Sequence, residues 1–461
     1  MKHIYPIITS IALAVCCGAD APAQSAIYAC GHIRRNRTEA IDNLRNSGFS
    51  TAILFNVTVE EDGSLVTDYN WSTQKPDEAG GIICKDGVYT FADYQPHYVD
   101  DIRKLLEPPT SIDRIEICIG GWGNGSYGKI KNLIEQQGTG EESILYRNFK
   151  ALKEVLPEIV AVNNDQEQDY DVATAIAFHK MMYELGYKTT IAPYTQRTFW
   201  QQLVAGLNAD EQICDLVYLQ TYGGGASNVP SNWNVFGGIP MYVGYDCESS
   251  SNLRQMKNSF ERWKSAGGVC GGFLWNYNSE ARVLSEWAQA IDLIFPRTVD
   301  DPAIWVSTGE GAEETALPVG DFTLPQFPLY GLTKDSFSMI RLADGCSATV
   351  FHGSNFDSGS MEITTSGVLP SDWAQNIGSI RIERAGSSEI QGVEEDAVLR
   401  TFVSEEGITI TAAGAADVEI FSISGQNVAS AHGVAAPIFI PLAQKGAFIV
   451  RCGLDVVKVA K

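Results

Sequence analysis

The chain has 461 residues, more than one ordinary domain accommodates. With 44% hydrophobic and 19% charged residues it is a core-forming sequence and not a disordered one. Its 33 Lys and Arg against 56 Asp and Glu give a formal charge of -23, which argues against a nucleic-acid partner and against adhesion to an anionic membrane.

Lys2 and His3 precede an apolar stretch from about Ile4 to Cys17, too short to span a bilayer. Ala21-Pro22-Ala23 is an A-x-A cleavage signal, so residues 1–23 read as an export signal. Leu13-Ala14-Val15-Cys16 has the outline of a lipobox, but Val15 stands where the residue before an acylated cysteine is normally small, and cleavage at Ala23 is favoured. The cysteines beyond the signal include no C-x-x-C pair, which argues against a structural zinc site. Cys118, inside Ile117-Cys118-Ile119, reads as a small buried hydrophobe.

From Ser25 to about Pro296, strand-like and helix-like pieces alternate. The spacing predicts strands over Ala26–Cys30, Phe49–Val59, Arg114–Gly121, Glu158–Glu167, Tyr187–Tyr194, Asp215–Tyr222, Pro240–Asp246 and Val269–Tyr277. Between and after them it predicts amphipathic helices over Thr38–Asn46, Tyr98–Leu106, Ile144–Leu156, Asp171–Leu185, Thr198–Leu207, Leu253–Lys264 and Ser279–Phe295. About eight strands, most followed by a helix, fit a (β/α)8 TIM barrel over residues 24–297. A doubly wound sheet would want a glycine-rich phosphate turn after the first strand, and Gly31-His32-Ile33-Arg34 is not one. After Pro296 the helical period disappears. Residues 298–334 read as a linker, 335–386 as one small all-β domain, and 397–461 as a second. The fold class expected is therefore α/β, a TIM barrel followed by two small all-β domains.

Chemistry in such a barrel lies at the C-terminal ends of its strands. The fourth predicted strand ends Asn163-Asn164-Asp165-Gln166-Glu167. Alternation puts Asn163, Asp165 and Glu167 on one side. Two carboxylates held close repel when both are ionised, which raises one pKa and keeps a proton near neutrality, as glycoside hydrolysis needs for its leaving oxygen. A solvated acidic loop is the bland alternative, since Asp169 and Asp171 follow.

Four strand ends together resemble glycoside hydrolase family 18, the chitinases and endo-β-N-acetylglucosaminidases. The family's fourth-strand D-x-x-D-x-D-x-E appears as V-x-x-N-x-D-x-E from Val160 to Glu167. Its third-strand S-x-G-G appears as Cys118-Ile119-Gly120-Gly121, its sixth-strand Q-x-Y as Gln220-Thr221-Tyr222, and its eighth-strand tryptophan as Trp275. The resemblance implies that Glu167 protonates the glycosidic oxygen while the substrate's own 2-acetamido oxygen attacks, with retention. Asp165 would orient the acetamido group, Tyr222 would hydrogen-bond its carbonyl, and Trp275 would floor the sugar, with Gln220 beside it. Asn163, Trp122 and Tyr245 complete the expected substrate-binding set. No metal and no cofactor are implied, and the expected partner is a glycan containing N-acetylglucosamine. Val160 and Asn163 depart from the family's first two aspartates, so a non-catalytic glycan-binding surface protein is the alternative. Tyr245 to Leu253 leaves no room for the α+β insertion of the long-cleft chitinases, which implies a short, open groove.

The tail carries two further resemblances. Ala348 to Glu383, with Asn355-Phe356-Asp357-Ser358-Gly359-Ser360 at its fold-over, resembles a βγ-crystallin-type Greek key, and Ala374, Gln375 and Gly378 argue against its binding calcium. The block around Val418–Gly425 and Gly446–Val450 resembles the C-terminal sorting domains of the type IX secretion system. That resemblance implies recognition by the secretion machinery and a secreted or cell-surface location.

Overall fold

The computed structural model describes residues 25–70, 75–277, 284–384 and the strands of the C-terminal region between 399 and 460. The expected export signal lies outside the described residues. Two compact units are separated at Ala385/Gly386.

The first unit begins with β1 (Ser25–Ala29), α1 (His32–Arg35), α2 (Arg37–Arg45) and β2 (Thr51–Val59). The chain then leaves the alternating pattern through β3 (Leu65–Asn70), β4 (Lys75–Lys85) and β5 (Val88–Tyr89), an antiparallel extension hydrogen-bonded to β2. It returns through α3 (Tyr98–Lys104) to β6 (Arg114–Gly120), α4 (Ser126–Gln137), α5 (Ile144–Val155), β7 (Ile159–Asp165) and α6 (Val172–Glu184). There follow β8 (Lys188–Ile191), α7 (Arg197–Leu207), β9 (Cys214–Leu219), β10 (Met241–Asp246), α8 (Leu253–Ala266), β11 (Gly271–Tyr277) and α9 (Leu284–Ile294). Strands β1, β2, β6, β7, β8, β9, β10 and β11 are parallel neighbours, and β1 pairs with both β2 and β11, so the eight close into a barrel.

Local chemistry explains the helix limits. Ser143 caps α5 through Tyr146 N, Asp171 caps α6 through Thr174 N, and Asn252 caps α8 through Gln255 N. Gly186, at φ +87°, follows the end of α6. Strand alternation then sorts side chains into two concentric cores. Outward residues such as Ile27, Leu54, Val162 and Leu274 pack against the helices. Inward residues Ala26, Tyr28, Ile53, Cys118, Leu216, Tyr218, Tyr242 and Phe273 fill the barrel.

The barrel interior also holds a polar column. Glu116, fully buried, accepts from Arg114 Nε at 2.6 Å, Thr190 Oγ1 at 2.6 Å and Tyr218 Oη at 3.0 Å. Arg114 donates twice more to Asp215, at 3.0 and 3.1 Å. Thr190 accepts from Asn163 Nδ2 at 2.9 Å, and Asn163 Oδ1 accepts from Tyr28 Oη at 2.9 Å. Stranding one partner of a buried ion pair costs about 3–5 kcal/mol, so this column ties five strands into one register.

Residues 298–334, expected as a linker, instead supply strands to the first β domain. One sheet contains β12 (Ile304–Ser307), β13 (Thr315–Leu317), β15 (Met339–Leu342) and β18 (Gly367–Val368). The facing sheet contains β14 (Gly320–Thr323), β16 (Cys346–Phe351), β17 (Ser360–Ile363) and β19 (Ser379–Arg384). Ile304, Phe322, Ile340, Val350 and Ile380 form their shared core. This domain belongs to the same compact unit as the barrel. Arg297 links the two: it pairs with Asp113, just before β6, and lies 5.6 Å from the Tyr330 ring centroid. That contact is at the N-terminal end of the barrel strands, away from where their C-terminal ends converge.

The second unit is all-β. Strands β20 (Leu399–Val403), β21 (Gly407–Ala412) and β24 (Ile438–Pro441) form one antiparallel sheet. Strands β22 (Ala416–Ser422), β23 (Asn427–Val434), β25 (Ala447–Cys452) and β26 (Asp455–Ala460) form the other. Ile408, Ile410, Val418, Ile420 and Val450 make its core.

Candidate active site

The C-terminal ends of the barrel strands surround a cavity of about 580 Å³. Phe55, Gly121, Trp122, Asp165, Glu167, Tyr194, Gln220, Tyr222 and Trp275 line it, with Asp246 and the glycines at 223 and 224. Six of the eight residues singled out from the sequence therefore meet in one place: Glu167, Asp165, Tyr222, Gln220, Trp275 and Trp122.

Asp165 ends β7 and is only 4% exposed. Gln220 Nε2 donates to its Oδ1 at 2.9 Å and to Ala192 O at 3.0 Å. The backbone around Asp165 is fixed from β6: Gly121 N donates to Asp165 O at 2.7 Å. Gly120 has φ +115°, and a Cβ there would sit 2.2 Å from Asp165 O, so only glycine permits this approach. Burial, and then the neighbouring Glu167 carboxyl, push Asp165 well above the usual carboxylate range, against the pull of the Gln220 amide. Burial also raises Glu167, opposed by a hydrogen bond from the Tyr194 hydroxyl. The pair thus retains a proton at pH values where an ordinary carboxyl has lost it.

The aromatic groups form a wall. Trp275 lies near-parallel to Tyr222, at 18° with centroids 6.5 Å apart. Phe55 meets Trp275 edge-on at 4.7 Å, and Tyr28 does so at 5.4 Å from below. The Phe55–Asn56 and Trp275–Asn276 peptides at this rim are cis. Burial and the Asp165 charge raise the Tyr222 phenol well above its ordinary value, so it stays a hydrogen-bond donor. Trp122, 77% exposed, stands at the rim on the loop after β6. An apolar wall facing carboxyl, amide and phenol groups suits a sugar, whose ring faces are apolar and whose edges are polar.

Two expected substrate-binding residues lie elsewhere. Asn163 is fully buried beneath the cavity, and its amide is engaged by Tyr28 and Thr190, not by Asp165. Tyr245 points to the outer layer, where its hydroxyl is 3.0 Å from Ser250 Oγ and its ring is 5.8 Å from Trp287. The next residue, Asp246, faces the cavity, and its Oδ1 accepts from Glu248 N and Ser249 N at 3.1 and 2.9 Å. Successive strand residues face opposite sides, and here the inward one is Asp246. Phe55 and Tyr194 are further lining residues; Tyr194 closes a predicted strand and could have been indicated that way, whereas Phe55 lies inside the predicted strand Phe49–Val59. Among the described residues no group of three His, Cys, Asp or Glu side chains is placed to hold a metal ion.

No family model matches the chain, and no curated protein matches it. Solved structures that match include βγ-crystallin domains. One from Flavobacterium johnsoniae is 25% identical, with 19% of this chain and 99% of that chain covered, at a TM-score of 0.18. The N-terminal domain of protein S is 21% identical over 18% of this chain and 96% of its own, with a TM-score of 0.17. A βγ-crystallin domain from Clostridium beijerinckii is 19% identical over 17% and 95% respectively, also at 0.17.

Proposed function

We propose that this protein hydrolyses β-1,4 linkages of N-acetylglucosamine, in chitin or in an N-glycan core, by substrate-assisted retaining catalysis of the family 18 type. The observation that carries this reading is the meeting of Asp165, Glu167, Gln220, Tyr222 and Trp275 in one cavity at the C-terminal end of a closed parallel barrel. Glu167 is the half-buried carboxyl and serves as the acid that protonates the glycosidic oxygen. The substrate's acetamido oxygen attacks the anomeric carbon as that bond breaks, giving a cyclic oxazolinium. Glu167, now a carboxylate, takes a proton from the water that opens it. Asp165, set by Gln220, orients the acetamido N–H and stabilises the positive charge that develops on it. The Tyr222 hydroxyl donates to the acetamido oxygen, and Trp275 packs against the ring.

The same reading assigns export to residues 1–23, a βγ-crystallin-like role to the first β domain, and sorting by a type IX machinery to the C-terminal unit, giving a secreted or surface-bound enzyme. A second reading has one observation in its favour. Asn163, where the family carries an aspartate, belongs to the structural column and makes its bonds away from Asp165, so the barrel could bind glycans without cleaving them.

The stereochemistry of the first product tests the mechanism. ¹H NMR of a fresh chitooligosaccharide digest is expected to show the β-anomer first, with α appearing only by mutarotation. An α-anomer first would replace the substrate-assisted scheme with direct attack of water.

A further inference from the structure

The loop between β9 and β10 contributes residues that touch no proposed substrate atom yet tie the site together. Asn228 lies in it, five residues before Trp233. Its Nδ2 donates to two backbone carbonyls, Tyr194 O at 2.8 Å and Gln220 O at 2.9 Å. Its Oδ1 accepts from Trp233 Nε1 at 3.1 Å, and its backbone N donates to Gly225 O at 2.8 Å. Every hydrogen-bonding atom of the side-chain amide except one lone pair is thus committed. The two carbonyls lie just beyond the C-terminal ends of neighbouring strands, β8 and β9. Their residues are the two that hydrogen-bond the acidic pair: Gln220 to Asp165 and Tyr194 to Glu167.

The space around this amide is closed. A Cβ on Gly225 would lie 2.2 Å from Gln220 O and 2.9 Å from Asn228 Nδ2, and one on Gly224 would lie 2.7 Å from the Tyr194 ring. Both neighbours are therefore kept free of side chains where the loop folds over the strand ends. Trp233 is 6% exposed and stacks on Phe236, which anchors the far side of the loop in the barrel's outer core.

We propose that Asn228 is a positioning residue: by bridging the ends of β8 and β9 it sets Tyr194 and Gln220, and through them the relative placement of Glu167 and Asp165. The inference rests on the two-carboxyl reading given above. It differs from a general loop staple in predicting an effect on the carboxyls themselves. Asn208 supplies the comparison. It staples the start of β9 in the same way, with Nδ2 donating to Cys214 O at 2.8 Å and Oδ1 accepting from Ile213 N and Cys214 N at 3.0 and 2.8 Å. It lies at the opposite end of the strand from the cavity.

The test compares Asn228→Ala and Asn208→Ala in the full-length protein. Both are expected to lower the unfolding temperature. Only Asn228→Ala is expected to lower kcat on a chitooligosaccharide, by about tenfold to a hundredfold with little change in KM, because misplacement of a catalytic group by about 1 Å costs on that order. It is also expected to move the alkaline limb of the pH–rate profile upward, since both carboxyls lose a partner that favours their charged form. An unchanged profile and kcat per folded molecule in Asn228→Ala, or the same losses in Asn208→Ala, would overturn the proposal. A crystal structure of Asn228→Ala reads the same point without turnover. Displacement of the Tyr194 and Gln220 side chains from the carboxyls supports positioning, and unchanged placement refutes it. If the wild type cleaves no glycan, the functional reading fails while the structural comparison still decides the role of Asn228.

Discussion

The two carboxyls differ in what surrounds them. Asp165 is closed in by the glycine turn after β6 and by Gln220, whereas Glu167 opens on the cavity and is hydrogen-bonded by the Tyr194 hydroxyl. This difference suits the division of labour proposed: a buried group that orients and an accessible one that gives up a proton. It also fixes the sign of a pH effect. As the proposed acid, Glu167 would act in its protonated form, so activity would be lost as pH rises through its pKa, and burial has moved that pKa upward. Tyr194→Phe removes the one hydrogen bond that opposes the rise. The alkaline limb of kcat/KM is therefore expected to move to higher pH in that variant. A limb that moves downward or stays in place would contradict the assignment of Glu167 as the acid. Of the residues read from strand ends, Asp165, Gln220 and Trp275 line the same cavity. Asp246 carries no motif of its own, and only the alternation along β10 separates it from Tyr245, whose ring faces Trp287.

At the scale of elements, the strand ends were legible because eight hydrophobic runs alternate with amphipathic helices, and few folds accommodate that order. Helix α4 was also open to discovery: Tyr127, Ile130 and Leu133 are its buried face and Gly138 its stop, but the glycines before Ser126 disguised its beginning as loop. The extension β3–β5 was not legible. β4 runs Lys-Pro-Asp-Glu-Ala-Gly-Gly and only then turns apolar, and its pairing with β3 shows in no local period. The strands inside residues 298–334 are three or four residues long and find their partners far along the chain, Ile304 opposite Leu342 and Phe322 opposite Ile380. Helix α6 carries an element-scale prediction. Its His179 is fully buried against β7 and β8, with Nε2 2.9 Å from Asn164 Nδ2 and Nδ1 3.0 Å from Thr189 Oγ1, and Tyr127 Oη at 3.4 Å completing its surroundings. Burial pushes its pKa down to about 3 from an ordinary 6.5. The unfolded chain therefore takes up this proton first, so the stability this site provides is complete above about pH 6.5 and is lost as pH falls toward 3. Urea unfolding at pH 7 and pH 4 is expected to differ by less in His179→Gln than in the wild type, by an amount on the order of a few kcal/mol. Equal pH sensitivity in the two proteins would contradict the buried neutral histidine.

Over the whole molecule, the charge of -23 gains a local meaning at the cavity. Among the described residues its lining contains Asp165, Glu167 and Asp246 and no lysine or arginine. A glycan bearing a carboxylate or sulfate beside the cleaved sugar would meet these carboxyls within an already negative field. Its kcat/KM is expected to fall below that of the neutral counterpart, with the gap narrowing as salt is raised from low to physiological strength. Equal rates at low salt would show that the field does not select. The 461 residues divide into a barrel unit that includes its β domain and a separate C-terminal β unit, and the proposed chemistry belongs to the barrel alone. The most direct measurement is mass-spectrometric product detection after incubating wild type and Glu167→Gln with chitooligosaccharides and a high-mannose glycoprotein. The account predicts cleavage between N-acetylglucosamine residues of at least one substrate by the wild type, and none by a folded Glu167→Gln. Cleavage by the variant at the wild-type rate, or no product from any substrate with the wild type, would contradict it.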